Sequence, residues 1–212
     1  MDRPRVLLAD DHTLVLEAFK RLLEPEFDIV GTVCDGRALL SAARASKPDV
    51  IVLDLGMPEV NGMEAGLELK RLLPRSKMIV LAISEDPEVA REAIRHWASG
   101  YLLKKSAASE LIQAIREVLR GKSYITPKIA QQLQEELLRD PTADHQRELT
   151  SRQREVLQLL AEGLTMKETA DELHVTPRTI AFHKYRIMED FGLKNNSDLV
   201  KFAIRERVIS LV

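Results

Sequence analysis

Val50-Ile51-Val52-Leu53-Asp54 is a short β-branched apolar run that ends on a carboxylate. It follows Pro48-Asp49 and is succeeded by Met57-Pro58 and Asn61-Gly62, residues that stop regular structure and favour a turn. A run this short and this apolar reads as a strand buried on both faces. Runs of the same kind lie at 6–9, 27–33, 78–83 and 101–103. Between them the apolar spacing becomes helical: Leu14, Ala18, Leu22; then Ala65, Leu69, Leu72; then Leu111, Ile115, Val118, Leu119. Five such units predict a parallel, doubly wound α/β sheet with helices on both faces. In that architecture a ligand sits at the carboxyl ends of the strands, near the point where strand order reverses.

Those strand ends carry charge. Asp10 and Asp11 follow the first strand, Asp54 ends the third, and Lys104 ends the fifth. Three carboxylates brought together repel one another and raise one another's pKa. A hard divalent cation relieves that repulsion, and Mg²⁺ in particular takes a few carboxylates beside a phosphate. A lysine on the same edge suits the oxygens of a transferring phosphoryl group. The set fits formation of an aspartyl phosphate.

The remainder is helical. Residues 127–139 have helical spacing, and Asp140-Pro141-Thr142-Ala143-Asp144 reads as a linker. Residues 147–212 carry no strand pattern and predict four helices, at about 151–161, 166–173, 177–191 and 196–206. Thr150 with Gln153 forms a capping box, Thr176-Pro177 an N-cap and first-turn proline, and Gly163 and Gly192 stand where C-caps belong. A helix, a three-residue turn and a second helix make a DNA-reading unit. The polar face of the third helix offers Arg178, Thr179, His183, Lys184 and Arg186, with Ile180, Ile187 and Phe191 as the core stripe. Charge does not announce DNA here. The whole chain of 212 residues has formal net charge -2, and residues 147–212 hold eleven Lys/Arg against ten Asp/Glu.

Composition sets outer bounds. Apolar residues make up 45%, enough for a real core. Cys34 is the sole cysteine, so no intrachain disulfide forms. The longest apolar runs fall far short of the ~20 residues that span a bilayer. A cytoplasmic protein without a membrane segment is expected.

Residues 5–120 resemble the receiver domain of response regulators. The resemblance rests on Leu8-Ala9-Asp10-Asp11, on Asp54-Leu55-Gly56-Met57-Pro58 with Asn61-Gly62, and on Gly100-Tyr101-Leu102-Leu103-Lys104. It implies a five-stranded flavodoxin-like fold and a phosphohistidine donor on a sensor histidine kinase. It makes Asp54 the phosphoacceptor. Asp10, Asp11, Asp54 and the carbonyl of Gly56 become the Mg²⁺ ligands, and Lys104 the phosphoryl contact. The stretch from Leu149 to Leu157 with Gly163, Thr179-Ile180-Ala181-Phe182-His183 and Phe191-Gly192-Leu193 looks like a LuxR-type helix-turn-helix. Together the two halves resemble the NarL/FixJ family. That resemblance implies a homodimer on a roughly palindromic double-stranded site, with Leu199, Val200 and Ala203 of the last helix at the dimer contact. The same residues also suit packing within the bundle. The implied boundaries are 4–121 for the receiver, 122–146 for a helix and linker, and 147–212 for the DNA-binding domain.

Departures from the pattern fall on the switch, the set formed by Ala82, Ser84 and Tyr101. The family carries Thr or Ser at the end of the fourth strand, and here that position is Ala82, whose methyl group cannot donate. Ser84 lies two residues on, on the same face by strand alternation. Lys105 stands where many receivers have proline. In the third helix of the second half, Ala181 and Tyr185 occupy positions that are often basic. Two other readings stay open. One is a phosphorylation-independent DNA-binding regulator or scaffold with a vestigial receiver. The other is a phosphohydrolase, disfavoured because such enzymes carry Asp-x-Asp on the first strand, whereas these acids are adjacent. The expectation is therefore a regulator, not an enzyme.

Overall fold

The computed structural model describes residues 3–57, 62–139, 149–206 and 208–209. Contacts divide the chain into two compact units, Met1–Arg139 and Asp140–Val212. The Asp140-to-Asp144 stretch, Pro58 and Asn61 lie outside the described residues. No described helix is long and apolar enough to cross a membrane.

The first unit alternates β1 (Arg5–Ala9), α1 (Thr13–Leu23), β2 (Asp28–Val33), α2 (Gly36–Ser46), β3 (Val50–Asp54), α3 (Gly62–Leu72), β4 (Lys77–Ala82), α4 (Pro87–His96), β5 (Gly100–Leu103) and α5 (Lys104–Leu119). A short β6 (Tyr124–Ile125) and α6 (Pro127–Arg139) follow. The sheet is parallel throughout, in the order β2-β1-β3-β4-β5-β6. The expected five strands are thus extended by a sixth. β6 is two residues long, too short to show any alternation. Tertiary pairing fixes it: Gly100 lies opposite Tyr124 and Tyr101 opposite Ile125.

Strand alternation divides the core. Val6, Leu8, Val50, Val52, Ile79, Leu81 and Leu102 pack with Leu16, Phe19 and Leu23 of α1 and with Leu111, Ile115 and Val118 of α5. The intervening residues Leu7, Ile51, Leu53, Val80 and Tyr101 are equally buried. A fully buried Leu or Ile contributes roughly 1.5–3 kcal/mol, so this sandwich fixes the strand ends firmly. The helices start where the sequence supplies caps: Asp35 accepts from Ala38 N at 2.7 Å, and Asp86 from Glu88 N at 3.0 Å.

The stretch just before the linker belongs to this unit. α6 packs against α4, and Ile129 near its start is fully buried. Thr126 Oγ1 accepts the Leu103 amide at 3.2 Å and donates to Glu110 Oε2 at 3.0 Å. The helix read from sequence as part of a connector therefore packs within the first unit, against α4.

The second unit holds α7 (Ser151–Ala161), α8 (Met166–Glu172), α9 (Pro177–Asp190) and α10 (Asn196–Arg205). The Thr150–Gln153 capping box forms, and Thr165 with Glu168 forms a second. Gly163 (φ 102°) and Gly192 (φ 67°) occupy the left-handed region just past α7 and α9, as helix-ending glycines do. Its core has two parts: Leu157, Ile187, Leu199, Phe202 and Ala203, and Val156, Ala170 and Ile180.

Candidate phosphoacceptor pocket and nucleic-acid interface

The carboxyl ends of β1 and β3 flank the reversal in strand order. Asp10 stands just past β1, its amide donating to Val33 O at 3.1 Å, and Asp54 is the last residue of β3. Both carboxylates are buried. Lys104, the first residue of α5, reaches across to both: its Nζ lies 2.8 Å from Asp10 Oδ2 and 3.0 Å from Asp54 Oδ2. The predicted Asp10, Asp54 and Lys104 thus meet, and Asp11 lies on the exposed lip. Carboxylate oxygens of Asp10, Asp11 and Asp54 fall within 4.8 Å of one another.

Burial raises the Asp54 pKa above its ordinary value, although the Gly56 amide and the Lys104 charge pull it down. Burial opposes the Lys104 charge, but the hydrogen bond to Asp10 and the field of Asp54 outweigh it, and the net shift is upward. One ammonium faces the two buried carboxylates, with Asp11 on the lip beside them, so acids outnumber the lysine in the pocket. Three carboxylates in such excess fit a hard divalent cation, and the His12 ring belongs to the same cluster. Gly56 lies against the acceptor, where a Cβ would come within 2.8 Å of Asp54 Oδ2.

Sequence reasoning passed over His12. Its ring is 61% exposed, yet Nδ1 lies 2.8 Å from Asp11 Oδ1 and 3.1 Å from Asp10 Oδ1. Its position directly after the acid pair was the available signal. Glu85 was also missed: it bridges Lys105 at the start of α5 and Lys128 at the start of α6. These two hydrogen bonds hold its carboxyl down at about 2. No local pattern links residues so far apart in sequence.

Ala82 ends β4 opposite Leu103, next to Lys104, and is 3% exposed. The Ser84 hydroxyl accepts the Asp86 amide at 3.2 Å, at the entry to α4. The Ser84 carbonyl accepts the Tyr101 hydroxyl at 3.2 Å. The Tyr101 side chain is fully buried, which pushes its pKa far up.

On α9 the sequence-predicted polar face is only partly outward. Thr179 is buried, its amide and hydroxyl both engaged with Thr176 Oγ1 at 3.2 and 3.0 Å. His183 is buried as well and lies in helical phase with Ile180 and Ile187, the core positions. Arg178, Lys184 and Arg186 remain partly exposed. Arg186 pairs along the helix with Asp190 at 3.2 Å, and Lys184 lies over the Tyr185 ring at 5.8 Å. Tyr185 itself is 60% exposed. On α10, Leu199 and Ala203 are in the unit's own core and Val200 sits half-buried at its margin. A domain this small leaves few apolar side chains free for a partner.

Comparison with known proteins bears on both units. Residues 6–116 match the response regulator receiver domain, and residues 147–203 match the bacterial regulatory proteins of the luxR family. The transcriptional regulatory protein YxjL of Bacillus subtilis (strain 168), itself uncharacterized, is 36% identical over 98% of each chain. The oxygen regulatory protein NreC of Staphylococcus carnosus (strain TM300) is 32% identical, covering 97% of this chain and 99% of its own. Among solved structures, RcsB of Salmonella enterica serovar Typhimurium, bound to promoter P1flhDC with the phosphomimetic BeF3⁻, is 28% identical with a TM-score of 0.62. That match covers 95% of this chain and 98% of RcsB. A two-component response regulator RcsB–DNA complex aligns with a TM-score of 0.63 at 26% identity, over 99% and 100% of the two chains.

Proposed function

This chain belongs to the response regulators of the NarL/FixJ family, a receiver domain joined to a LuxR-type DNA-binding domain, and from that premise we propose that Asp54 is its phosphoacceptor. The donor is a phosphohistidine on a sensor histidine kinase. The second unit binds a roughly palindromic DNA site as a homodimer and regulates transcription, in the cytoplasm. The observation that carries the receiver reading is Lys104 Nζ held between the carboxylates of Asp10 and Asp54. The chemistry belongs to residues 4–121 and the DNA contact to 147–212, while β6 and α6 of the 122–146 stretch go with the first unit.

Asp54 attacks phosphorus with a carboxylate oxygen, and the bond to the donor imidazole breaks. The buried position keeps water away from the acceptor. Lys104 stays anchored on Asp10 while its ammonium passes from Asp54 Oδ2 to a phosphoryl oxygen. Asp10, Asp11, Asp54 and the Gly56 carbonyl would hold Mg²⁺, which neutralises charge on the phosphoryl oxygens when bound. Each chain takes the group once rather than turning it over. Incubation with ³²P-acetyl phosphate should label the wild type on one residue and leave Asp54→Asn unlabelled. Equal labelling of both refutes the assignment.

The switch is atypical in this reading. Ala82 has no hydroxyl to turn toward a phosphoryl oxygen. Ser84 Oγ is engaged at the entry to α4, and Tyr101 is tied inward to the Ser84 carbonyl. These same observations favour a second reading, DNA binding that is independent of phosphorylation. On DNA, Arg178 and Lys184 carry the contact more than Thr179 or His183, and Arg186 is shared with its helix neighbours.

A further inference from the structure

We propose that His12 is a nitrogen ligand of the cation site, so that the pocket accepts Co²⁺-like transition ions in preference to Mg²⁺. The inference rests on the metal-assisted phosphoacceptor reading above and adds one ligand to it. His12 precedes Thr13, the first residue of α1, and its side chain makes no capping hydrogen bond there. Its backbone is extended (φ -98°, ψ 103°), which leaves the ring free to turn toward the acids. Nδ1 stands 2.8 Å from Asp11 Oδ1 and 3.1 Å from Asp10 Oδ1. Adjacent ligands in an octahedral shell with bonds of about 2.1 Å lie about 3 Å apart, and the ring nitrogen stands at that spacing from each acid, with all the ligand atoms of Asp10, Asp11, His12 and Asp54 within 4.8 Å of one another.

The neighbouring contacts set that arrangement. The His12 amide donates to Asp10 Oδ1 at 3.0 Å and fixes the orientation of the carboxylate. Lys104 occupies the opposite oxygen, Asp10 Oδ2. The Asp10 Oδ1 side is thus where a cation meets Asp11 and the imidazole together. With oxygen ligands alone, a site discriminates little in favour of later first-row ions. An imidazole adds affinity that follows the Irving–Williams order and gives Mg²⁺ almost nothing. The ring's exposure leaves an open path for the ion.

The test is calorimetric titration of the full chain with MgCl₂ and, separately, CoCl₂ at one fixed pH, using wild type, His12→Ala and His12→Asn. The asparagine amide keeps a donor near the Nδ1 position but is a poor metal ligand. Saturating Mg²⁺ identifies the Co²⁺ bound at this site by displacing it, and circular dichroism checks that both half-exposed variants fold. The expected result is a loss of about tenfold or more in Co²⁺ affinity in both variants, with Mg²⁺ affinity changed by less than about twofold. The Co²⁺ ligand-field spectrum should shift as the nitrogen donor is lost. If His12→Asn retains wild-type Co²⁺ affinity, His12 is only a hydrogen-bond donor and the inference is overturned. Unchanged Co²⁺ affinity in both variants overturns it equally. If wild type binds neither ion and Asp54 takes no label, the phosphoacceptor reading itself fails, an outcome separate from the two before it.

Discussion

Ala82→Ser adds a single oxygen at the carboxyl end of β4, where the side chain is 3% exposed. The site lies beside Leu103, one residue before the lysine that would hold the phosphoryl group. A serine hydroxyl there can donate to a phosphoryl oxygen on Asp54, which the Ala82 methyl group cannot. Ser84 lies two residues further on, past the end of β4, and the Asp86 amide it accepts at 3.2 Å holds its oxygen at the entry to α4. A hydrogen bond to a charged group is worth roughly 1.5–3 kcal/mol. At about 1.4 kcal/mol per tenfold, that corresponds to a shift of about 10- to 100-fold in the coupling between phosphorylation and DNA affinity. Serine is preferred to threonine because an extra methyl group in a packed position costs roughly 1–3 kcal/mol. The assay is fluorescence anisotropy on a DNA duplex selected in vitro with the chain itself, with and without beryllofluoride. Sedimentation follows dimerisation in the same samples. Wild type should show a ratio of affinities near one, and Ala82→Ser a ratio of about ten or more. A large ratio in the wild type, or no gain in the variant, refutes the argument that the missing hydroxyl weakens the switch.

Three further outcomes follow from the geometry. Burial raises the Asp54 pKa, so the folded state holds that proton more tightly than the unfolded chain does; the ionised carboxylate therefore costs stability that is lost as pH rises through the folded pKa. Asp54→Asn should then melt higher than wild type at pH 7, with the gap closing toward pH 4 in thermal scans, and an equal or lower melting point contradicts the desolvation argument. Gly56→Ala places a methyl group 2.8 Å from Asp54 Oδ2 and should sharply slow labelling by acetyl phosphate while leaving DNA affinity unchanged, so undiminished labelling places the acceptor oxygen elsewhere. Lys184→Ala should weaken binding to all sequences and reduce the salt slope by about one, whereas Tyr185→Ala, which removes an exposed aromatic ring, should alter sequence preference with the slope intact; competition binding over a salt series separates the two.

Much was legible before folding, for specific reasons. The β1, β3, β4 and β5 runs are apolar on both faces, and only a parallel sheet buried on both sides accommodates them. Asp54 ends such a run and Asp10 and Lys104 directly follow two others, and a doubly wound sheet puts those ends together. The helices of the second unit were set by local signals: the Thr150 capping box, the Thr176-Pro177 start and the left-handed glycines at 163 and 192. Burial was less legible where polarity and phase disagreed. Thr179 and His183 are polar, and so were assigned to the DNA face, but helical phase puts them with Ile180 and Ile187. Leu199 and Ala203 serve the domain's own core, because so short a chain has few apolar residues to close it.

The sequence by itself thus determined the element order, the acidic pocket and the departure at Ala82, since each depends on periodicity, on strand ends or on a single side chain's chemistry. Only the tertiary structure decided contacts between residues distant in the chain. It paired β6 with β5, seated α6 on the receiver through Thr126 and Leu103, and joined Glu85 to Lys105 and Lys128. It also turned the His12 ring onto the two carboxylates beside it. Local patterns encode which face a residue takes; which partner it meets there is fixed by the packing of the whole sheet and its helices.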